Sequence, residues 1–121
     1  MKYGILFSIF FLFNLQGIQS QVPAENQTQA PVATMTTKFK VYGNCGMCKK
    51  RIEKAAKVEG VSLADWDEAT QMLTVVFEPS KVTPRQLHKA VAAVGHDTDK
   101  ERASDEVYEN LHGCCQYERR Q

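Results

Sequence analysis

The chain has 121 residues and carries 15 Lys and Arg against 14 Asp and Glu, a net charge of +1. That length accommodates one domain of ordinary size and not two comfortable ones. The basic residues are scattered rather than massed, so nothing supplies the electrostatic footprint for holding nucleic acid or an anionic membrane, and both partners are excluded.

The N-terminus begins Met1-Lys2-Tyr3 and continues in an apolar run from Gly4 to Phe13, with a small residue at Ser20. A short charged start and an apolar run well under the roughly 18 residues of a membrane span describe a secretory signal peptide over residues 1–20. The alternative, an uncleaved anchor, calls for a longer run and a basic flank. Residues 21–35 hold Pro23, Pro31, repeated Gln and no aromatic side chain, and so cannot bury enough apolar area to offset the entropy of ordering. They read as a flexible linker. An exported protein, periplasmic or secreted, with no direct membrane contact after signal removal is the expectation.

Periodicity takes over at Lys38, where Phe39 and Val41 share one face of a half-buried strand and Lys38 and Lys40 the other. Ile52, Ala55 and Ala56 then recur at helical spacing among Lys and Glu, marking an amphipathic helix that closes near Gly60. A second strand covers Val61 to Asp67, its phase divided between Val61/Leu63 and Ala64/Trp66, which suggests a bulge. After a turn at Glu68-Ala69-Thr70, Leu73, Val75 and Phe77 alternate cleanly in a third strand. Thr83-Pro84-Arg85-Gln86 is a capping-box pattern with proline at the first helical position, and it opens a second helix whose stripe is Leu87, Ala90, Val91 and Val94. Gly95 closes it. A fourth strand has to come from His96 to Arg102, which is so polar that only an exposed edge strand is credible. Ser104 to Leu111 reads as a short, N-capped helix. The order βαββαβ makes an α+β, ferredoxin-like sandwich, an antiparallel sheet with two helices on one face, followed by a short C-terminal helical extension over residues 103–121.

Cys45-Gly46-Met47-Cys48 sits where strand one gives way to helix one. Two thiols three positions apart, one in the loop and one in the first turn, can address a single centre, and the helix N-terminus favours thiolate. A two-thiolate site is soft and low-coordinate, suited to Cu(I), and to Ag(I) or Hg(II) by the same argument. Zn(II) would have to recruit further ligands. The same spacing is compatible with a structural disulfide or with a thiol–disulfide oxidoreductase, although the element order is not thioredoxin-like.

On the loop Cys45-Gly46-Met47-Cys48, the Glu59-Gly60-Val61 junction, Leu73-Thr74-Val75-Val76-Phe77 and the Gly95-His96 step, residues 36–102 resemble the heavy-metal-associated domain family. This is the small module of copper chaperones, copper-ATPase N-terminal domains and periplasmic mercury-binding proteins. The resemblance implies metal carriage through Cys45 and Cys48, without catalysis, and delivery to a metal-transporting membrane protein or another thiol carrier. It also implies a residue beside the metal at His96. The family usually has methionine two residues before the first cysteine, where this chain has Gly43. Met47 reads as a loop filler, His88 as a surface residue and Trp66 as packing.

Cys114 and Cys115 remain. Adjacent Cα atoms lie about 3.8 Å apart, closer than the usual disulfide range of about 4.4 to 6.8 Å, so the two need partners other than each other. The span from Ser104 is sufficient to return them to the Cys45/Cys48 loop if Val107, Tyr108 and Leu111 cover the open sheet face. The alternatives are a separate tail site with His112, or an unordered end with spare thiols.

Overall fold

The computed structural model describes residues 32–121; the signal-peptide reading and residues 21–31 of the linker lie outside the described residues. The elements are β1 (Met35–Lys40), α1 (Gly46–Ala56), β2 (Val61–Trp66), β3 (Met72–Phe77), α2 (Pro84–Ala93), α3 (Asp105–Glu109) and one turn of 3-10 helix, Gly113–Cys115. The strands form an antiparallel sheet in the order β1-β3-β2. Phe39, Ala64, Trp66, Leu73, Val75 and Phe77 turn one face to Cys48, Ile52 and Ala56 of α1 and Leu87 and Val91 of α2. The arrangement is the α+β, ferredoxin-like sandwich.

Two local features explain the register and the second helix. Pairing between β2 and β3 slips between Val61 and Leu63, and beyond the slip Ala64 and Trp66 point inward while Leu63 is 47% exposed. At Thr83 the capping box is complete, with the Gln86 N–H donating to Thr83 Oγ1 and the Thr83 N–H donating to Gln86 Oε1. Gly95 ends the helix at φ +104, and a Cβ there would meet Leu111 Cδ2 at 3.0 Å.

The expected edge strand over His96–Arg102 is not formed. Among the described residues only one antiparallel bridge, Val41 to Thr98, stands in its place, and His96, Asp97 and Thr98 are fully buried rather than exposed. The backbone is diverted into a turn: the Thr98 N–H donates to Glu101 O (2.7 Å), and the Lys100 and Glu101 N–H groups donate to Thr98 Oγ1. His88 is likewise not a surface residue. Its ring stacks on Phe39 with centroids 3.8 Å apart, and Nδ1 lies 2.6 Å from Thr98 Oγ1, so it serves both the core and the turn.

The C-terminal segment covers this turn and not the open sheet face. Leu111 packs at Gly95, while Tyr108 meets Tyr117 edge-on at 5.1 Å. The buried Tyr117 hydroxyl donates to Gly95 O (2.7 Å) and accepts the Asp97 N–H (2.8 Å). Arg119 then closes a bidentate pair on Asp97, Nη2 to Oδ1 at 2.8 Å and Nε to Oδ2 at 3.0 Å, and the Ala103 N–H donates to Asp97 Oδ1 at 2.7 Å. Burial alone would raise the Asp97 carboxyl, but the Arg119 and Ala103 hydrogen bonds hold it below the ordinary value.

Gly43 owes its place to Trp66. The fully buried indole donates Nε1–H to Val41 O (3.0 Å), and a Cβ at position 43 would lie 3.1 Å from both Trp66 Cζ2 and Cys48 Cβ. The space that a side chain at 43 would need is filled by the indole.

Three outcomes follow from these contacts. Arg119→Ala is expected to lower the unfolding free energy by about 3 kcal/mol, since it strands a buried carboxylate; urea denaturation measures it, and an unchanged midpoint would refute the pairing. Because the Asp97 pKa is depressed in the fold, the pair stabilises fully above the unfolded carboxyl value of about 3.9 and is lost as pH falls through the folded value. Stability curves taken down to acid pH should therefore fall more steeply for the wild type than for Asp97→Asn. Separately, Gly43→Ala should cost about 1 kcal/mol through overpacking, and Trp66→Leu in the same chain should relieve that increment.

Candidate metal centre

The loop leaving β1 is held by its carbonyls. Three consecutive ones are taken by side chains from three places in the chain: Val41 O by Trp66 Nε1 (3.0 Å), Tyr42 O by His96 Nδ1 (2.8 Å) and Gly43 O by Gln71 Nε2 (2.6 Å). Gln71 itself sits at φ 60 after the 68–70 turn, where its own N–H donates to Asp67 O and its carbonyl accepts from the Val41 N–H. The chain then reaches Cys45, the extended N-cap residue of α1, and Cys48 in the first helical turn. Cys48 is fully buried, and Cys45 is half-buried.

The 3-10 turn delivers the other two thiols. Cys115, buried, places Sγ 3.7 Å from Cys45 Sγ, which is itself 3.5 Å from Cys48 Sγ. The sulfurs of Cys45, Cys48 and Cys115 all lie within 4.8 Å of one another. Cys114 points outward, its Sγ 3.9 Å from Cys45 Sγ and 3.7 Å from Met47 Sδ. With metal–sulfur bonds of about 2.3 Å, a linear two-sulfur site needs sulfurs about 4.6 Å apart and a trigonal one about 4.0 Å. The Cys45–Cys48 separation is short for the first, and the three-sulfur set is near the second.

The thiols differ in acidity. The Cys48 amide at the helix N-terminus lowers Cys45 to about 7, whereas burial pushes Cys48 up to about 12 despite the Asn44 N–H donated to its sulfur at 3.4 Å. Hydrogen bonding to Cys45 raises Cys114. Cys45 is thus the thiol most readily ionised near neutrality, and any ligand to Cys48 sulfur would have to displace its proton.

His96 is not brought to the sulfurs as a member of the cluster. Its Nδ1 faces Tyr42 O and its Nε2 lies 3.5 Å from Arg51 Nη1, so the carbonyl fixes Nδ1 as the protonated nitrogen, and burial keeps the ring neutral by lowering its pKa. His112 is exposed at the start of the 3-10 turn and also stands outside the cluster. Sequence reasoning missed Gln71, whose turn position carries no signal of a bond to Gly43, and Arg119, whose partner is 22 residues away.

Comparison with known proteins bears on the domain that carries the Cys45–Cys48 loop. The model of the heavy-metal-associated domain matches residues 40–97. The mercuric transport protein periplasmic component of Pseudomonas aeruginosa is 38% identical over 71 residues, covering 55% of this chain and 78% of that protein. Among solved structures, oxidised MerP from Ralstonia metallidurans CH34 superposes with a TM-score of 0.52 at 36% identity, over 57% of this chain and 100% of that one. The N-terminal domain of a potential copper-translocating P-type ATPase from Bacillus subtilis, in its Cu(I)-loaded state, gives 0.53 at 30% identity, over 62% and 96%. A CopZ metallochaperone gives 0.51 at 30%, over 53% and 98%. Likeness at this level, running through the two-cysteine loop and across most of each relative's length, makes the chain a member of the heavy-metal-associated domain family.

Proposed function

We propose that this chain is an exported carrier of a soft metal ion, foremost Cu(I), held by Cys45, Cys48 and Cys115 and passed on by ligand exchange. The observation that carries the reading is the convergence of three thiols within 4.8 Å at a loop whose first cysteine stays accessible. Thiolates select soft ions, and a site with one open side lets an incoming thiolate bind before a resident one leaves. The acceptor is then a metal-transporting membrane protein or another thiol carrier, consistent with relatives that include the N-terminal domain of a potential copper-translocating ATPase. Ag(I) suits the same donors, and Zn(II) would need a fourth ligand. Hg(II) is favoured as the second cargo by the mercuric transport relative, and that relative's periplasmic description supports export.

In this reading His96 and Gln71 position the loop and bind no metal. The thiol–disulfide oxidoreductase reading uses the same pair and is separated by experiment. Anaerobic titration of the reduced chain with Cu(I) and with Hg(II) against competing chelators should give tight binding that Cys45→Ser abolishes and Cys48→Ser weakens. Cys115→Ser should leave binding in place but reduce the sulfur count seen by X-ray absorption from three to two. Catalytic reduction of a test disulfide by metal-free protein, with no tight metal binding, would replace the carrier by the oxidoreductase.

A further inference from the structure

We propose that the four thiols hold two soft monovalent ions, in two triangles of sulfur that share the Cys45–Cys115 edge. The inner triangle is the Cys45, Cys48 and Cys115 set of the carrier reading, on which this inference rests. The outer one is Cys45, Cys114 and Cys115, with edges of 3.9, 3.9 and 3.7 Å. All three edges approach the spacing of about 4.0 Å that trigonal coordination requires with bonds of about 2.3 Å.

The two positions are chemically distinct. Cys48 and Cys115 are buried, so the inner ion is enclosed on that side, whereas Cys114 is exposed and the outer ion faces solvent. Met47 Sδ lies 3.7 Å from Cys114 Sγ, on a side chain that is 46% exposed and so open to an ion at the outer position. A neutral thioether is a donor for Cu(I) or Ag(I) and a poor one for zinc, so it directs the outer position to monovalent soft ions. Adjacency supplies the rest: neighbouring cysteines do not readily pair with each other, which keeps Cys114 and Cys115 as two separate donors.

Binding balances simply. The outer ion takes the place of the Cys114 proton, which leaves to solvent, and Cys45 and Cys115 become bridging thiolates. No electron is transferred. One thiolate is gained as the second monovalent ion is taken up, so that ion leaves the net charge of the cluster unchanged and adds no repulsion among sulfurs already packed within van der Waals range.

The test is native mass spectrometry and X-ray absorption on the reduced full chain, loaded anaerobically with Cu(I) from a competing chelator. Expected are two ions on a monomer, each with three thiolate sulfurs and the outer one with the Met47 thioether besides, and a short metal–metal vector. Cys114→Ala, at an exposed position, should bind one ion with first-step affinity unchanged and no such vector. Met47→Leu should weaken the second step about tenfold and leave the first alone. A wild type that saturates at one ion, or that holds two only as a dimer, would overturn the proposal while leaving the carrier reading intact. Cys114→Ala still taking two ions would also overturn it. No tight binding at all would overturn both.

Discussion

Taking the Asp97 carboxylate out of water is costly unless a cation and hydrogen-bond donors meet it, and the C-terminal segment is arranged to meet it. Arg119 supplies the fork, Ala103 an amide, and Tyr117 covers the backbone on either side. Once the segment is tied there, Cys115 has little freedom, because it lies two residues before Tyr117 and four after the buried Leu111. The position of a sulfur at one end of the molecule is thus set by an ion pair rather than by sulfur chemistry.

The elements with simple periodicity were legible from residues alone. Leu73, Val75 and Phe77, the Thr83 capping box, the divided phase of β2 and the Cys45-to-Cys48 loop all carry their structure in local spacing. The His96–Arg102 segment was misread for a definite reason. Polar residues without periodicity suggest exposure, yet His96, Asp97 and Thr98 are buried by pairing with Tyr42, Arg119 and His88, and no local rule reports a partner at long sequence distance. The same blindness hid His88, whose imidazole had to be seen against Phe39 and Thr98 together. The return of the tail to the loop could be judged from reach, but its route could not, since the bonds that choose the route are made by Tyr117 and Arg119.

Around the cysteine loop the fold combines a fixed backbone with a graded set of sulfurs. Trp66, His96 and Gln71 clamp three successive carbonyls, which fixes the backbone leading into the loop. Cys45 is partly open at the end of this held backbone. The indole at Trp66 also accounts for the glycine at position 43: the loop is buttressed from the sheet side rather than by its own residue.

The two cysteine pairs come from opposite parts of the chain, with Cys45 and Cys115 separated by 70 residues. An ion shared between them is a cross-link as well as a cargo. By the chain-entropy estimate for a covalent bridge, closing a loop of that length is worth about 4 kcal/mol against unfolding. In the proposed carrier, loading would therefore staple the tail to the domain, and handing the ion to an acceptor would remove the staple in the same event. A donor and an acceptor would then meet two molecules of one shape and different resistance to unfolding, the difference set by the same sulfurs that hold the cargo.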